Sequence, residues 1–119
     1  MNSKEECLRK ACEIVNGARA RDYGSPEDGF TTIAILWETY LEAKTGRSVN
    51  IDALDVAMMM ELLKIARAAN SPLKDDNYID LAGYAACAYS IAKEAQEVQE
   101  AHGVGVKEAI NVHRFVFRD

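Results

Sequence analysis

Two carboxylates, three residues apart, begin the segment on which any chemistry of this chain would depend. The segment DALDVAMMMELLKIAR spans residues 52–67. As a helix, it places Asp52 and Asp55 on neighbouring positions of one face. Asp55 also shares a stripe with Met59, Leu62 and Ala66. We expect this stripe to face the core, where a carboxylate is costly unless it is paired or holds a metal ion. The structural alternative is that Asp52 caps the helix and Asp55 is stabilised by the helix dipole.

A second pair of carboxylates, Glu38 and Glu42, lies four residues apart in the preceding predicted helix. The short loop between the two helices should make them antiparallel, which brings all four carboxylates together. Like charges this close repel unless some are protonated or a cation neutralises them. Oxygen ligands favour a hard divalent ion, and Mg²⁺ is the expected one, which in turn usually handles phosphates. The alternative is that Glu38 and Glu42 belong to a solvated face.

The composition indicates one helical domain over residues 1–119 and excludes several classes of function. The hydrophobic fraction is 49% and the charged fraction 28%, as in ordinary globular domains. A net charge of −5 argues against binding to nucleic acid. We expect no membrane span and no signal peptide, because no apolar run is long enough. Three cysteines without metal-like spacing suggest buried thiols in a reducing cytoplasm. Two histidines exclude a histidine-rich zinc site.

The helix signals of the first half of the chain are strong. A first helix is expected over about residues 4–18, where Ser3 and Glu6 form a capping-box pattern. Pro26, which follows a serine, should begin a second helix that stops at Gly46. We therefore expect an irregular stretch between these two helices and a short loop after the second.

The second half of the chain should add two more helices. The acidic segment should stay helical to about Asn70, and Asp75 or Asp76 should cap a long fourth helix that ends near Gly103. The remaining residues, 104–119, are expected to form a C-terminal arm, either a short strand or a segment that lies on a partner. The sequence thus predicts an all-α fold, a four-helix bundle with antiparallel neighbours.

The acidic pattern resembles that of the MazG-like family of all-α nucleoside triphosphate pyrophosphohydrolases. Its members carry a glutamate-rich helix, E-E-x-x-E, followed by an E-x-x-D motif on the next helix. The sequence DALDV at residues 52–56 is similar to that motif, with Asp replacing Glu. Glu38 occupies a glutamate position of this pattern. Glu42 lies one residue beyond the last glutamate position of the pattern and would take its role. More narrowly, RDYGSP, DVAMMMELLKIAR and DNYIDLAGY resemble the bacteriophage MazZ-type branch, which hydrolyses dGTP and GTP.

The resemblance implies a diphosphatase that hydrolyses a nucleoside triphosphate, dGTP or GTP in the narrower case, to the monophosphate and pyrophosphate. Its cofactor would be Mg²⁺ or Mn²⁺, and it would act in the host cytoplasm. Glu38 and Asp55 would be catalytic. The metal ligands would be Glu38, Glu42, Asp52 and Asp55. The competing interpretation is a non-catalytic helical phage protein that binds a nucleotide or a protein partner.

Self-association is expected on two grounds. The segment from Val56 to Met60 is apolar nearly all round, so a helix there needs cover on more than one side. MazG-like sites are also commonly completed by association. A homodimer or homotetramer is therefore predicted.

Cations and polar groups around the turn between the third and fourth helices are candidates for binding substrate. They are Lys64, Arg67, Asn77, Asp80 and Tyr84, and Arg21 adds a candidate from the first irregular stretch. Arg67 and Asp80 come level when the helices fold back, so they could instead form a structural ion pair. Lys64 lies about 13 Å along the helix from Asp55 and on nearly the opposite side. These residues would therefore act in a neighbouring subunit's site or only hold the helices together.

Overall fold

The computed structural model describes residues 1–17 and 26–112, and these are all helical or irregular, with no strand. The helices are α1 (Ser3–Asn16), α2 (Pro26–Thr45), α3 (Ala53–Asn70), α4 (Asp75–His102) and α5 (Val106–Ile110). The all-α fold with four long helices is confirmed. None of the helices in the described ranges has the length and apolar character needed to cross a membrane.

Capping explains where the helices begin and end. α1 is capped by Asn2, whose side chain accepts a hydrogen bond from the backbone N–H of Glu5 at 2.9 Å. The predicted capping box of Ser3 and Glu6 is therefore wrong, because Ser3 is already helical. α2 ends as predicted, since Gly46 has φ +69° and leaves the right-handed helical region at no steric cost.

The start of α4 and the end of the chain also differ from expectation. The residue before α4 is Lys74, which makes no capping hydrogen bond through its side chain, and Asp75 and Asp76 lie inside the first turn. Their charges still complement the helix dipole there. Part of the predicted arm, residues 106–110, is the short helix α5, which packs on α4 and buries Ala109. Residues 113–119 lie outside the described part of the chain.

The helices are arranged around α3 and α4. α3 packs between α2 and α4, and α4 also packs against α1 and α5, whereas α2 and α4 meet only slightly. The core is composed largely of small side chains. Among the described residues, Val56 has the largest side chain that is fully buried, and Ala34 and Ala57 are also fully buried. Phe30 adds an aromatic contact to Tyr84, with ring centroids 6.0 Å apart. The described part of the chain therefore buries few large apolar side chains.

The orientation of α3 is opposite to the one that we expected. The stripe that carries Asp55 faces outward, with Met59 43% and Leu62 64% exposed. Val56, Ala57 and Lys64 face the core instead. Because α3 has apolar residues on nearly every side, its hydrophobic periodicity could not identify the inner face.

Gly83 of α4 lets α1 approach closely. A Cβ atom at Gly83 would lie 3.3 Å from Cγ1 of Val15, whereas one at Gly29 of α2 would meet nothing within 4 Å.

We expect Gly83→Leu to lower the free energy of unfolding by about 2 kcal/mol, because the larger side chain forces the two helices apart. The matched control Gly29→Leu should be neutral or slightly stabilising, because leucine favours a helix more than glycine does. Urea unfolding compares the two, and equal losses would contradict the close approach.

Candidate functional site

A buried carboxylate of α2 anchors the residue that precedes the start of α3. Glu38 is 8% exposed, and its Oε2 atom accepts a hydrogen bond from the backbone N–H of Ile51 at 2.7 Å. Hydrogen bonds to an ionised carboxylate are among the stronger ones in proteins. Because Ile51 directly precedes Asp52, this bond ties the N-terminal end of α3 to α2.

Asp52 and Asp55 form a reciprocal capping box at the start of α3. The backbone N–H of Asp55 donates to Oδ1 of Asp52 at 2.8 Å, and the N–H of Asp52 donates to Oδ2 of Asp55 at 3.0 Å. The capping role that we considered for Asp52 is therefore confirmed. The box places two carboxyl groups side by side, with Asp52 only 8% exposed and Asp55 open to solvent.

Burial raises the pKa of the Asp52 carboxyl group, and the neighbouring charge of Asp55 raises it further. The backbone N–H groups of Asp55 and Leu54 act in the opposite direction, because they stabilise the ionised form. Desolvation is the largest single effect, and the net result is a raised pKa of Asp52. A nearby cation would stabilise the ionised form of Asp52 against both the cost of its burial and the repulsion from Asp55.

The four predicted metal ligands do not come together as expected. Glu42 is exposed on α2, and Asp55 points outward instead of into the space between the helices. Within residues 1–17 and 26–112, no three acidic, histidine or cysteine side chains form a group that could hold a metal ion. The structure does assemble the adjacent carboxylates of Asp52 and Asp55, with Glu38 linked to them through the backbone of Ile51.

The predicted pairing of Arg67 with Asp80 is wrong. Asp80 pairs with Lys64 instead, with Nζ and Oδ2 2.7 Å apart. The Lys64 side chain is 8% exposed and that of Asp80 30%. Lys64 lies one turn before Arg67, so the facing helices meet about one turn away from the expected register. This ion pair holds α3 against α4 and leaves the exposed Arg67 at the surface.

The remaining predicted substrate-binding residues have structural contacts. Asn77 is 3% exposed and donates from Nδ2 to the carbonyl oxygen of Ser71 at 3.0 Å, which holds the turn between α3 and α4. Tyr84 packs beside Phe30 in the core. Arg21 lies outside the described residues.

Sequence reasoning missed the environment of Cys87. This thiol is buried, and burial raises its pKa to about 12, with a further contribution from the charge of Glu27 and a hydrogen bond to it. The expectation of buried thiols holds for Cys87, whereas Cys12 is exposed. The proximity of Glu27 to Cys87 depends on how α2 and α4 pack, and spacing along the chain gives no signal of it.

One family model matches residues 6–92, and its description is Domain of unknown function (DUF6378). The match covers well over half of the chain. The chain belongs to this family.

Two curated phage proteins are similar to the chain. The Gene 55 protein of Mycobacterium phage D29 is 38% identical over 93 residues, which cover 78% of this chain and 58% of that protein. The Gene 55 protein of Mycobacterium phage L5 is 45% identical over 78 residues, which cover 66% of this chain and 47% of that protein. The chain thus spans about half the length of these relatives. No solved structure matches it.

These matches overturn the assignment to the MazG-like family and to its MazZ-type branch. The family to which the chain belongs is one of unknown function, and the names of the two phage relatives state no activity. The expectation of bacteriophage relatives is confirmed.

The ion pair between Lys64 and Asp80 should contribute measurably to stability. Asp80→Asn leaves a buried ammonium group without a counter-charge, so we expect a loss of about 2 kcal/mol, reduced from the full buried-pair value by the partial exposure of Asp80. Adding Lys64→Met should recover most of that loss, because no charge then remains buried. Glu97→Gln, at an exposed position of α4, is the control. Unchanged urea unfolding of Asp80→Asn would show that the pair contributes nothing.

Substitution can separate the effect of Asp52 as a helix cap from the effect of its buried carboxyl group on the pH dependence of stability. Asp52→Ala should cost about 1 kcal/mol through loss of the cap, whereas Asp52→Asn should keep the cap. Because the folded state raises the pKa of Asp52, it binds more protons than the unfolded state between the ordinary carboxyl pKa, about 4, and the raised pKa. The parent should therefore lose stability relative to Asp52→Asn as pH rises through that range. Urea unfolding at several pH values measures the difference, and parallel pH profiles would contradict the raised pKa.

Proposed function

We propose that this protein hydrolyses a nucleoside triphosphate to the monophosphate and pyrophosphate, with Mg²⁺ or Mn²⁺ as its cofactor. The observation that supports this proposal is the pair of adjacent carboxylates at the start of α3, one buried and one open to solvent. Because its relatives are phage proteins, the reaction would take place in the cytoplasm of an infected host, and the role in nucleotide metabolism follows from the proposed substrate alone.

The donor set fits Mg²⁺, even though no three acidic side chains of the described residues converge. Mg²⁺ in nucleotide enzymes is usually held by one or two carboxylates, with water and substrate phosphates completing its coordination. Each carboxylate offers about four lone-pair sites. The capping hydrogen bonds of Asp52 and Asp55 therefore leave acceptor capacity for a cation. A cation would also stabilise the ionised form of Asp52, which burial disfavours.

Each acidic residue would have a distinct role. Asp55, which is exposed, would contact the cation on the solvent side where a triphosphate can approach. Asp52 is held by the capping box and would contribute the second carboxylate. Glu38 is a positioning residue, because it fixes the backbone of Ile51. When bound, the cation would neutralise phosphate charge and activate water for attack at phosphorus.

A non-catalytic helical protein that binds a nucleotide or a protein partner is the second candidate. The specific observation in its favour is that Glu38, Asp52 and Asp55 all make hydrogen bonds that stabilise the fold. A role in capping and anchoring is enough to explain why these carboxylates are present. The two candidates differ in whether the chain releases pyrophosphate from any nucleotide.

Pyrophosphate release decides between the candidates. The purified chain is incubated with each of the four dNTPs and four NTPs, dGTP and GTP among them, in Mg²⁺ or Mn²⁺. We expect release from at least one nucleotide and a decrease of at least about 100-fold in Asp55→Asn, because asparagine is a poor ligand for the cation that would neutralise the phosphates. The exposed control Glu97→Gln should retain activity. Release from no nucleotide would favour the binding protein, whereas full activity of Asp55→Asn would show that Asp55 only caps the helix and would overturn the proposed site.

Cation binding should also be visible without turnover. A ligand that binds only the folded state raises the melting temperature. Millimolar Mn²⁺ should therefore raise the melting temperature of the parent and of Glu97→Gln, but not that of Asp55→Asn. An equal shift in all three proteins would place the binding elsewhere.

A further inference from the structure

The end of α1 carries the sequence's single asparagine–glycine pair, Asn16 and Gly17. Asn16 is the last residue of the helix, and it is exposed. In peptides, the backbone nitrogen of the residue after an asparagine attacks the side-chain amide carbon of that asparagine. Glycine favours this attack, because it has no side chain to hinder the approach and allows the backbone to rotate. The other asparagines precede serine, isoleucine, tyrosine or valine.

The backbone nitrogen of Gly17 lacks the hydrogen bond that ends the other described helices. In those four helices, the N–H group of the first residue beyond the helix donates to the carbonyl oxygen four residues back, as it does at Gly46, Ser71, Gly103 and Asn111. Within the described chain, Gly17 makes no such bond to Glu13. Rotation of the backbone between the Cα atom of Asn16 and the nitrogen of Gly17 therefore breaks no hydrogen bond of α1.

The side chain of Asn16 is held only by contacts at the surface. Its Nδ2 atom donates to the carbonyl oxygen of Cys12 at 3.1 Å and lies 3.6 Å from Sγ of the same residue. Because these contacts are exposed, water replaces them at little cost when the side chain turns towards Gly17.

The fold itself requires the glycine of this pair. A Cβ atom at position 17 would clash with the carbonyl oxygen of Glu13. α1 therefore ends in this way only with glycine after Asn16, and the close approach keeps a reactive pair at the surface.

We infer that Asn16 deamidates in the folded protein through a cyclic imide formed with Gly17. The nitrogen of Gly17 attacks Cγ of Asn16, and the new C–N bond closes the ring. The Nδ2 group leaves as ammonia and takes the proton that the Gly17 nitrogen loses. Water then opens the ring at one of its two carbonyl groups and leaves aspartate or isoaspartate at position 16. The reaction needs water alone, and the inference does not depend on the proposed hydrolysis.

The product carries a negative charge at an unfavourable place. The C-terminal end of a helix is the negative end of its dipole, and the last turn of α1 has no basic residue to compensate. The preceding residue, Val15, lies where α1 approaches Gly83 of α4. Deamidation therefore destabilises the end of α1 beside its contact with α4.

Peptide mapping by mass spectrometry tests the reaction. The purified chain is kept warm at mildly alkaline pH, with circular dichroism to check that it stays helical, and is then digested with trypsin. Residues 11–19 contain Asn16, and residues 68–74 contain Asn70. Asn70 is the matched internal control, because it is also the exposed last residue of a helix but precedes Ser71, whose N–H group is hydrogen-bonded. A sample digested without incubation gives the background.

We expect conversion at Asn16 to be at least about 10-fold faster than at Asn70, because the free N–H group and the missing side chain lower the barrier. Isoaspartate should be among the products at position 16, since it forms only through the cyclic imide. No isoaspartate there, or equal rates at the two asparagines, would overturn the inference.

Two variants test the consequence for stability. Asn16→Asp reproduces the aspartate product, and its melting temperature should be about 1–4 °C below that of the parent, because of the charge at the end of α1. Asn16→Gln stays neutral and closes the larger ring only slowly, so it should keep the melting temperature of the parent and remain unmodified at position 16. Equal melting temperatures of the two variants would overturn the predicted effect on α1.

Discussion

The hydrogen bond from the backbone N–H of Ile51 to Glu38 is the contact on which the rest of the structure depends. It fixes the end of the loop against α2, and the capping box of Asp52 and Asp55 then sets the first turn of α3. Once that turn is fixed, the rotation of the whole helix follows, because side chains repeat every 3.6 residues. The same three carboxylates therefore determine both the candidate site and the orientation of α3.

This orientation accounts for the composition of the core. α3 turns Val56 and Ala57 inward, so the centre of the bundle is made of small side chains and the helices approach closely. It also turns Lys64 inward, where Asp80 of α4 supplies the counter-charge. Most of the larger apolar side chains of α3 are left exposed, whereas Leu54 and Met60 pack against the core.

The bounds of the helices could be predicted from the sequence, whereas the contacts between side chains of different helices could not. Pro26, Gly46 and Gly103 mark helix ends through local backbone chemistry, so the bounds of α2 and α4 were predicted closely. The inner face of α3 was mispredicted because its apolar residues surround the helix. The partner of Asp80 was misassigned because Lys64 and Arg67 lie one turn apart and only the packing distance between helices selects one.

The wrong family assignment has a related physical cause. An acidic residue followed three positions later by another is both a metal-binding pattern and the pattern of a capping box, since each needs oxygen atoms one turn apart. The letters DALDV at residues 52–56 satisfy both. Such a motif identifies the start of a helix with more certainty than it identifies a reaction.

The central claim is that the start of α3 binds a divalent cation, and paramagnetic broadening by Mn²⁺ tests it most directly. In a ¹⁵N-labelled sample titrated with substoichiometric Mn²⁺, the amide signals of Ile51, Asp52 and Asp55 should broaden first. The amide of Asp80, beside its ion pair with Lys64, should broaden later. Broadening centred elsewhere, or equal throughout the chain, would contradict the claim.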